Sequence, residues 1–222
     1  MHFKSSKNPC YFIAEVGSNH EGNFAKAKNL VIEAARSNAD LVKIQIYTAQ
    51  NIVNKKFDLE RYNHFSKLEL SIKQYIDLAK ICKKYKKKFS ASIWDVNLID
   101  IFDKYIDIYK IGSGDLNNFE KIKKIVSKKK PIIISTGLSN IKEIHKTVNF
   151  INKIDKNYLK MKKLAILHCN TAYPTPIGDA NLSNIETLKN KFKLDIGYSD
   201  HTIGSEIIKI AFYLGANIIE KH

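Results

Sequence analysis

The stretch PIIISTGLSNIKEIHKTVNFI, residues 131–151, contains the unit on which the whole chain is built. It opens with a short run that is apolar on nearly every residue, which is typical of a strand buried on both faces of a parallel sheet. A turn with Gly and Ser follows, and Ile144 and Val148 then fall on one face of a predicted helix. Asn140 and Glu143 have the spacing of a capping box at the start of that helix. The stretch therefore predicts a strand, a turn and an amphipathic helix in succession.

The same alternation recurs along the 222 residues. Eight runs are predicted as strands: Tyr11–Ala14, Leu41–Ile46, Phe89–Ser92, Ile106–Ile111, Pro131–Ser135, Leu164–Cys169, Leu194–Tyr198 and Asn217–Lys221. With seven helical stretches between them, they predict an α/β fold, the TIM (β/α)8 barrel. A doubly wound open sheet would have fewer strands and a glycine-rich first turn. We interpret residues 1–222 as one such barrel, ending at strand eight without the final helix, and we expect Ile218 or Ile219 to keep an uncovered outer face.

Composition excludes several classes of protein. The net charge is +15, and the lysine runs at residues 83–88 and 128–130 invite a nucleic-acid interpretation. These runs lie at predicted helix ends just before strands and contain a single aromatic residue, Tyr85, so a lysine-rich solvated surface is the better interpretation. The sequence lacks an apolar run of membrane-spanning length and a secretory leader, which predicts a cytoplasmic protein that binds neither membrane nor nucleic acid. Its three cysteines form no C-x-x-C pair, so we expect reduced thiols.

Polar residues stand at the carboxyl end of every predicted strand, where TIM barrels carry their active sites. In chain order they are Glu15, Asn19, His20, Lys43, Gln45, Ser92, Asp95, Lys110, Ser113, Asp115, Ser135, Thr136, His168, Asn170, Thr171, Tyr173, Ser199, Asp200, His201, Glu220, Lys221 and His222. Buried charged groups cost stability unless they are paired or used. The repetition of this pattern at all eight ends predicts a functional site at that face of the barrel.

Two histidines are candidate metal ligands. His201 and His222 end adjacent predicted strands, and two nearby imidazoles leave open positions on a divalent ion for water and substrate. The alternative is a pair of hydrogen-bonded core histidines.

Lys43 and Lys110, together with the GSGD and STG segments, predict a site for an anion such as phosphate. A barrel lysine could instead form a Schiff base, or the two lysines could pair with Glu15 or Asp115. Glu15 itself could act as a general base or stabilise developing positive charge, or it could be the partner of Lys43 in a structural salt bridge.

Seven segments in order resemble the sialic acid (N-acetylneuraminate) synthase family. They are IAEVGSNHEGN (Ile13 to Asn23), VKIQ (Val42 to Gln45), KIGSGD (Lys110 to Asp115), ISTG (Ile134 to Gly137), HCNTAYPTP (His168 to Pro176), GYSDHT (Gly197 to Thr202) and GANIIEKH (Gly215 to His222). The resemblance implies a transferase that condenses phosphoenolpyruvate with N-acetylmannosamine or a related amino-sugar aldose. The products would be a nonulosonic acid and phosphate.

The resemblance also implies residue roles. His201 and His222 would hold a divalent ion, Mn²⁺ before Mg²⁺ or Co²⁺, and Glu15 would assist at the oxocarbenium and water-addition stage. Phosphoenolpyruvate would be held by Lys43, Lys110, Ser113, Ser135, Asn170 and Ser199, and Tyr173 would contact the sugar. Ser92 stands where the family usually has threonine, and Asp115 stands where glutamate is common, which shortens its reach.

A further domain is implied by the same resemblance. The family carries an antifreeze-like C-terminal domain that reaches a partner subunit's active site, so the full-length form would be a domain-swapped homodimer. That domain is absent from these 222 residues. Two alternatives to the transferase therefore stay open: an inactive or fragmentary barrel that binds phosphoenolpyruvate or metal without turnover, and a Schiff-base aldolase.

Overall fold

A computed structural model describes residues 2–222. The strands are Tyr11–Gly17 (β1), Leu41–Ile46 (β2), Lys88–Ile93 (β3), Ile108–Ile111 (β4), Ile132–Ser135 (β5), Leu164–Cys169 (β6), Asp195–Asp200 (β7) and Ile218–Lys221 (β8). The α-helices are Phe24–Arg36 (α1), Ala49–Ile52 (α2), Leu59–Leu68 (α3), Ile72–Lys84 (α4), Leu98–Phe102 (α5), Phe119–Ser127 (α6), Ile141–Ile154 (α7), Asn157–Lys160 (α8), Ser183–Phe192 (α9) and Glu206–Tyr213 (α10). Short 3-10 turns cover Asp103–Tyr105, Ser113–Asp115 and Ile177–Asp179.

The eight strands follow chain order in a closed barrel, which confirms the predicted fold class. The neighbours β2 and β3, and β4 through β8 in succession, pair in parallel. All eight predicted strands exist, with ends that shift by up to three residues. The largest shift at a strand start is in β4, because Ile106 still donates its backbone N–H to Asp103 and so closes the preceding 3-10 turn.

Contacts divide the chain into two compact units, the first made of the chain up to Ile13 with Tyr109–His222 and the second of Ala14–Ile108. In the first unit, β5 and β6 are buried on every residue, as their continuous apolar runs predict. Ile218 and Ile219 are buried as well, so the expected uncovered face on β8 is wrong. Ile218 packs against β7 at Gly197, which has no side chain. A Cβ added to Gly197 would lie only 2.7 Å from the Ile218 Cβ.

Local sequence signals set the helix ends. Asn23 caps α1 by accepting from the Lys26 N–H, and the Asn140–Glu143 capping box at α7 has both of its hydrogen bonds. Gly215 follows α10 with φ +95°, the left-handed conformation that favours glycine after a helix. Within residues 2–222, no helix combines the length and apolar character that crossing a bilayer requires.

Candidate functional site

A lysine, a glutamate and a serine form a closed hydrogen-bonded network at β4, β7 and β8. The Lys110 Nζ donates to both carboxylate oxygens of Glu220, at 2.8 and 3.2 Å. The Ser199 Oγ donates to the Glu220 Oε1 at 2.8 Å, and Ser199 and Glu220 are register partners on one face of the sheet. All three side chains are buried. Lys110 therefore pairs with Glu220, a partner that differs from the two carboxylates considered in the sequence.

The two predicted metal ligands lie together beyond this network. The ring centroids of His201 and His222 are 5.2 Å apart, and the Tyr173 ring lies 4.0 Å from His201 and 5.9 Å from His222. The His201 Nδ1 must carry a proton, because it donates to the backbone carbonyl of Asn170 at 2.5 Å. That bond leaves the Nε2 lone pair available, and burial lowers the pKa of His201 to about 4, so its ring is neutral near pH 7.

A neutral imidazole whose other nitrogen donates to a carbonyl is the usual state of a histidine that binds a metal. The arrangement of His201 and His222 therefore fits a divalent ion held by two protein ligands. Across residues 2–222, no cluster of three or more His, Cys, Asp or Glu side chains has metal-binding geometry. Further ligands would have to come from water or substrate oxygens.

Asp200 and Lys221, which directly precede His201 and His222 in the sequence, point to the opposite face of the sheet. Asp200 is fully buried and accepts from the Lys221 Nζ at 2.6 Å. It also accepts from the backbone N–H and the hydroxyl of Thr202, at 3.0 and 3.1 Å. Because side chains alternate along a strand, this ion pair joins the ends of β7 and β8 directly behind His201 and His222.

The ends of β4, β5 and β6 form a second polar group in the same unit. The Ser113 Oγ accepts from the Gly137 N–H at 2.9 Å and lies 3.1 Å from the Cys169 Sγ. A Cβ at Gly137 would come within 2.8 Å of that sulfur, so the turn requires glycine. The Ser135 Oγ is buried and makes no hydrogen bond within the described part of the chain. A buried hydroxyl without a partner is a candidate contact for a ligand.

Two predicted ligand contacts are engaged elsewhere in the protein. The Asp115 carboxylate pairs with the buried Lys121 at 2.8 Å, and Lys121 was absent from the sequence-based candidates. The Asn170 side chain donates to the carbonyl of Asp179 at 2.9 Å and accepts from the Ala172 N–H at 3.3 Å. Asp115 and Asn170 would have to exchange these bonds to hold a substrate, and their substrate roles stay predictions.

In the second unit, Glu15 and Lys43 form a buried ion pair. The salt bridge considered as the alternative for Glu15 thus exists, and it is compatible with a catalytic role as well. Lys43 lies opposite Ser90 in the register of β2 and β3, and Ser92 lies two residues further along the same face. The Ser90 Oγ is buried and has no hydrogen-bond partner among residues 2–222. Its alternation with Ser92 was the signal in the sequence that could have identified it.

The two remaining strand-end histidines pack inside the protein. The His20 Nδ1 accepts from the Gly22 N–H at 3.0 Å, and the His168 Nε2 donates to the Ala180 carbonyl at 2.8 Å. Burial lowers the pKa of both rings.

A closed (β/α)8 barrel with buried lysine–carboxylate pairs and neighbouring histidines at its strand ends defines a class of ligand-binding barrels. The chain belongs to the NeuB family, whose model matches residues 30–222. It is 39% identical over 223 residues to N,N'-diacetyllegionaminic acid synthase of Campylobacter jejuni, with 95% of this chain and 66% of that protein covered. It is 34% identical to the Legionella pneumophila protein of the same name, with 99% of this chain and 65% of that protein covered.

A solved structure agrees with these relatives. The N-acetylneuraminic acid (sialic acid) synthetase from Leptospira borgpetersenii, in complex with citrate, superposes with a TM-score of 0.88 at 34% identity. The match covers 97% of this chain and 73% of that one. The chain spans slightly less than two thirds of the length of the two synthases from C. jejuni and L. pneumophila.

Proposed function

We propose that this protein is a transferase that condenses phosphoenolpyruvate with N-acetylmannosamine or a related amino-sugar aldose, giving a nonulosonic acid and phosphate. The observation that carries the proposal is the strand-end set of Lys110, Ser113 and Ser135 in a chain of the NeuB family. The relatives named as synthases of legionaminic and sialic acids support the same chemistry.

The anionic donor is held by cations and hydroxyls. Lys43 and Lys110 supply the positive charge, and Ser92, Ser113, Ser135 and Ser199, with Asn170, supply hydrogen bonds. Each of the two lysines already has a carboxylate partner. Each carboxylate keeps its lysine charged and oriented. The ammonium group can therefore bind phosphoenolpyruvate as well, without reorganisation. Tyr173 is assigned to the acceptor sugar, and Asp115 is assigned to substrate binding without a choice between donor and acceptor.

The reaction makes a carbon–carbon bond to the aldehyde carbon and a carbon–oxygen bond to water, and it breaks the carbon–oxygen bond between C2 and the phosphate. The enol C3 of phosphoenolpyruvate attacks the aldehyde carbon, whose oxygen takes a proton. Water adds at C2, and the tetrahedral intermediate expels phosphate to leave a 2-keto acid. Glu15 stabilises the positive charge that develops at C2 and takes the proton of the incoming water.

The histidine pair holds a divalent ion, with Mn²⁺ preferred over Mg²⁺ or Co²⁺. When bound, such an ion supplies Lewis-acid polarisation of the sugar aldehyde. His201 contributes a neutral ring oriented by its bond to the Asn170 carbonyl. We assign the activity to the cytoplasm, and to a full-length homodimer in which a C-terminal domain reaches the partner's site.

The test is phosphate release from phosphoenolpyruvate in the presence of N-acetylmannosamine, with a panel of bacillosamine-derived and pseudaminic-type acceptors beside it. Chelation and His222→Ala should each abolish release, whereas His145→Ala, an exposed histidine on α7, should leave the rate unchanged. Turnover that survives chelation contradicts the metal-dependent mechanism. Calorimetric binding of phosphoenolpyruvate without turnover by the full-length protein would favour an inactive barrel.

A Schiff-base aldolase is disfavoured by the ion pairs. An amine must lose its proton before it attacks a carbonyl, and both candidate lysines lie against carboxylates that stabilise the ammonium form. Borohydride trapping of a substrate carbonyl on Lys110 or Lys43 would reverse this conclusion.

A further inference from the structure

The amino ends of β5, β6 and β7 carry a surface that is rich in lysine. Segments 128–130, 156–163 and 189–193 precede these three strands, and together they contain ten lysines and no Asp or Glu. The strands are parallel neighbours, so the three segments lie side by side. Between the first two segments, the Lys163 Nζ donates to the Lys129 carbonyl at 3.1 Å. We call the three segments the basic face, and it lies at the end of these strands opposite to the candidate site.

The charge of the basic face is not neutralised by the carboxylates that flank it in sequence. Asp155 accepts from the Asn157 backbone N–H at 2.9 Å. Asp195 is 7% exposed and accepts from the Asn217 side-chain amide at 2.6 Å. Both carboxylates are therefore engaged with uncharged groups, while seven of the ten lysines are exposed.

Three lysines of the basic face hold a backbone conformation that favours glycine. The φ angle is +59° at Lys129, +50° at Lys162 and +51° at Lys193, each within two residues of a helix end. Glycine or asparagine usually occupies this position, because a Cβ destabilises the left-handed conformation. The helix dipole favours lysine throughout the last turn of a helix, so it does not require a lysine at the left-handed residue itself. The repetition at three adjacent turns indicates that the charge is used.

Two apolar side chains protrude beside these charges. Met161, in the second segment, is 53% exposed, and Ile154, at the end of α7, is 39% exposed. Lysines around protruding apolar groups match an anionic bilayer, whose headgroups attract ammonium groups and whose interface takes up apolar side chains. Nucleic acid fits less well, because the three segments contain no Arg and their aromatic residues, Tyr158 and Phe192, are not exposed for stacking on bases.

We propose that the basic face docks this protein on an anionic lipid bilayer. The lysine ammonium groups lie against lipid phosphates, and Met161 and Ile154 enter the headgroup region. The contact is peripheral, so it requires no membrane-spanning helix, and it directs the carboxyl ends of β5, β6 and β7 away from the lipid. The inference revises the expectation from composition that the protein binds no membrane. It does not depend on the proposed reaction.

The experiment measures sedimentation of the 222-residue chain with vesicles of phosphatidylcholine, prepared with and without one third phosphatidylglycerol. The test variant combines Lys129→Gly, Lys162→Gly and Lys193→Gly. Glycine removes the charge and relieves the left-handed conformation at the same time. The variant therefore separates a role in binding from a role in stability.

A matched control lowers the net charge by the same amount elsewhere. It combines Lys123→Gln, Lys142→Gln and Lys146→Gln, three exposed positions on α6 and in the first half of α7. Met161→Ser tests the apolar part of the contact. Urea unfolding followed by circular dichroism is measured for every variant.

We expect the wild type to bind the anionic vesicles, to leave the neutral ones unbound, and to be released by added salt. The glycine variant should bind on the order of a hundredfold more weakly, because each lysine near an anionic bilayer strengthens binding about fivefold. It should unfold at no lower urea concentration than the wild type, since glycine accepts the left-handed conformation. Met161→Ser should weaken binding about threefold or more, and the glutamine control should stay within about fivefold of the wild type.

Several outcomes would overturn the inference. They are an absence of binding to anionic vesicles, an equal loss in the glycine variant and the glutamine control, and unfolding of the glycine variant at a lower urea concentration. Retention of a random DNA duplex without retention of vesicles would also overturn it, since the basic face would then serve a nucleic acid.

Discussion

Replacing Lys110 by methionine is expected to lower the free energy of unfolding by about 3–5 kcal/mol. The substitution keeps the length of the apolar stem and removes the ammonium group. It leaves Glu220, 2% exposed, as a buried carboxylate that keeps the hydrogen bond from the Ser199 hydroxyl but loses its cation. The large cost arises because the carboxylate has lost its hydration and also the positive charge that compensated for it.

The chain offers a matched control at its surface. The Lys209–Glu206 pair on α10 has the same N–O distance as the Lys110–Glu220 pair, 2.8 Å, but its side chains are 59% and 75% exposed. Lys209→Met should change the free energy of unfolding by no more than about 0.5 kcal/mol, since water replaces the lost partner. Because the two ion pairs have equal N–O distances but unequal burial, comparing them separates the effect of desolvation from that of contact geometry.

Urea titrations followed by circular dichroism measure both variants, with their m-values compared to the wild type. The double variant Lys110→Met with Glu220→Gln should recover at least about 1 kcal/mol relative to the sum of the single changes, because no buried charge is then left unpaired. Comparable losses in Lys110→Met and Lys209→Met, or strict additivity of Lys110→Met and Glu220→Gln, would refute the assignment of a buried, coupled pair.

Three further predictions concern the surroundings of the site. Gly137→Ala should lower the free energy of unfolding, measured in urea, by about 1–3 kcal/mol and weaken binding of phosphoenolpyruvate, because its Cβ would collide with the Cys169 sulfur at 2.8 Å. Gly178→Ala should do neither, because the space around its Cβ is open among the described residues. His168 has a pKa below its unfolded value, so its contribution to stability is present above about pH 6.5 and is lost as pH falls below that value, because the unfolded chain binds the proton first. As the pH is lowered from 7.5 to 5.5, the free energy of unfolding of His168→Gln should therefore fall less than that of the wild type. An equal fall in both proteins would contradict this. Asp200→Asn should weaken Mn²⁺ binding, followed by electron paramagnetic resonance, about tenfold or more, because the ion pair with Lys221 fixes the strand ends behind the histidines; unchanged affinity would contradict that role.

The barrel was predictable because its signals are local. Strands such as Ile132–Ser135 are continuous apolar runs, and the capping box of α7 and Gly215 after α10 mark helix ends within a few residues. The position of His201 and His222 at adjacent strand ends follows from chain order alone once the eight units are counted. Local periodicity therefore determined the fold, and with it the set of residues that reach the strand ends.

The pairing of those residues was decided by the tertiary structure. Lys110 pairs with Glu220, 110 positions away, whereas Asp115, five positions away, pairs with Lys121 on α6. Which carboxylate meets which lysine depends on strand register and stagger, and on which face each residue occupies. These quantities arise only when distant segments pack together. The sequence by itself determined which chemical groups this family member brings to its strand ends. The tertiary structure decided which of them are neutralised and which, like the Ser135 hydroxyl, have no hydrogen-bond partner among residues 2–222.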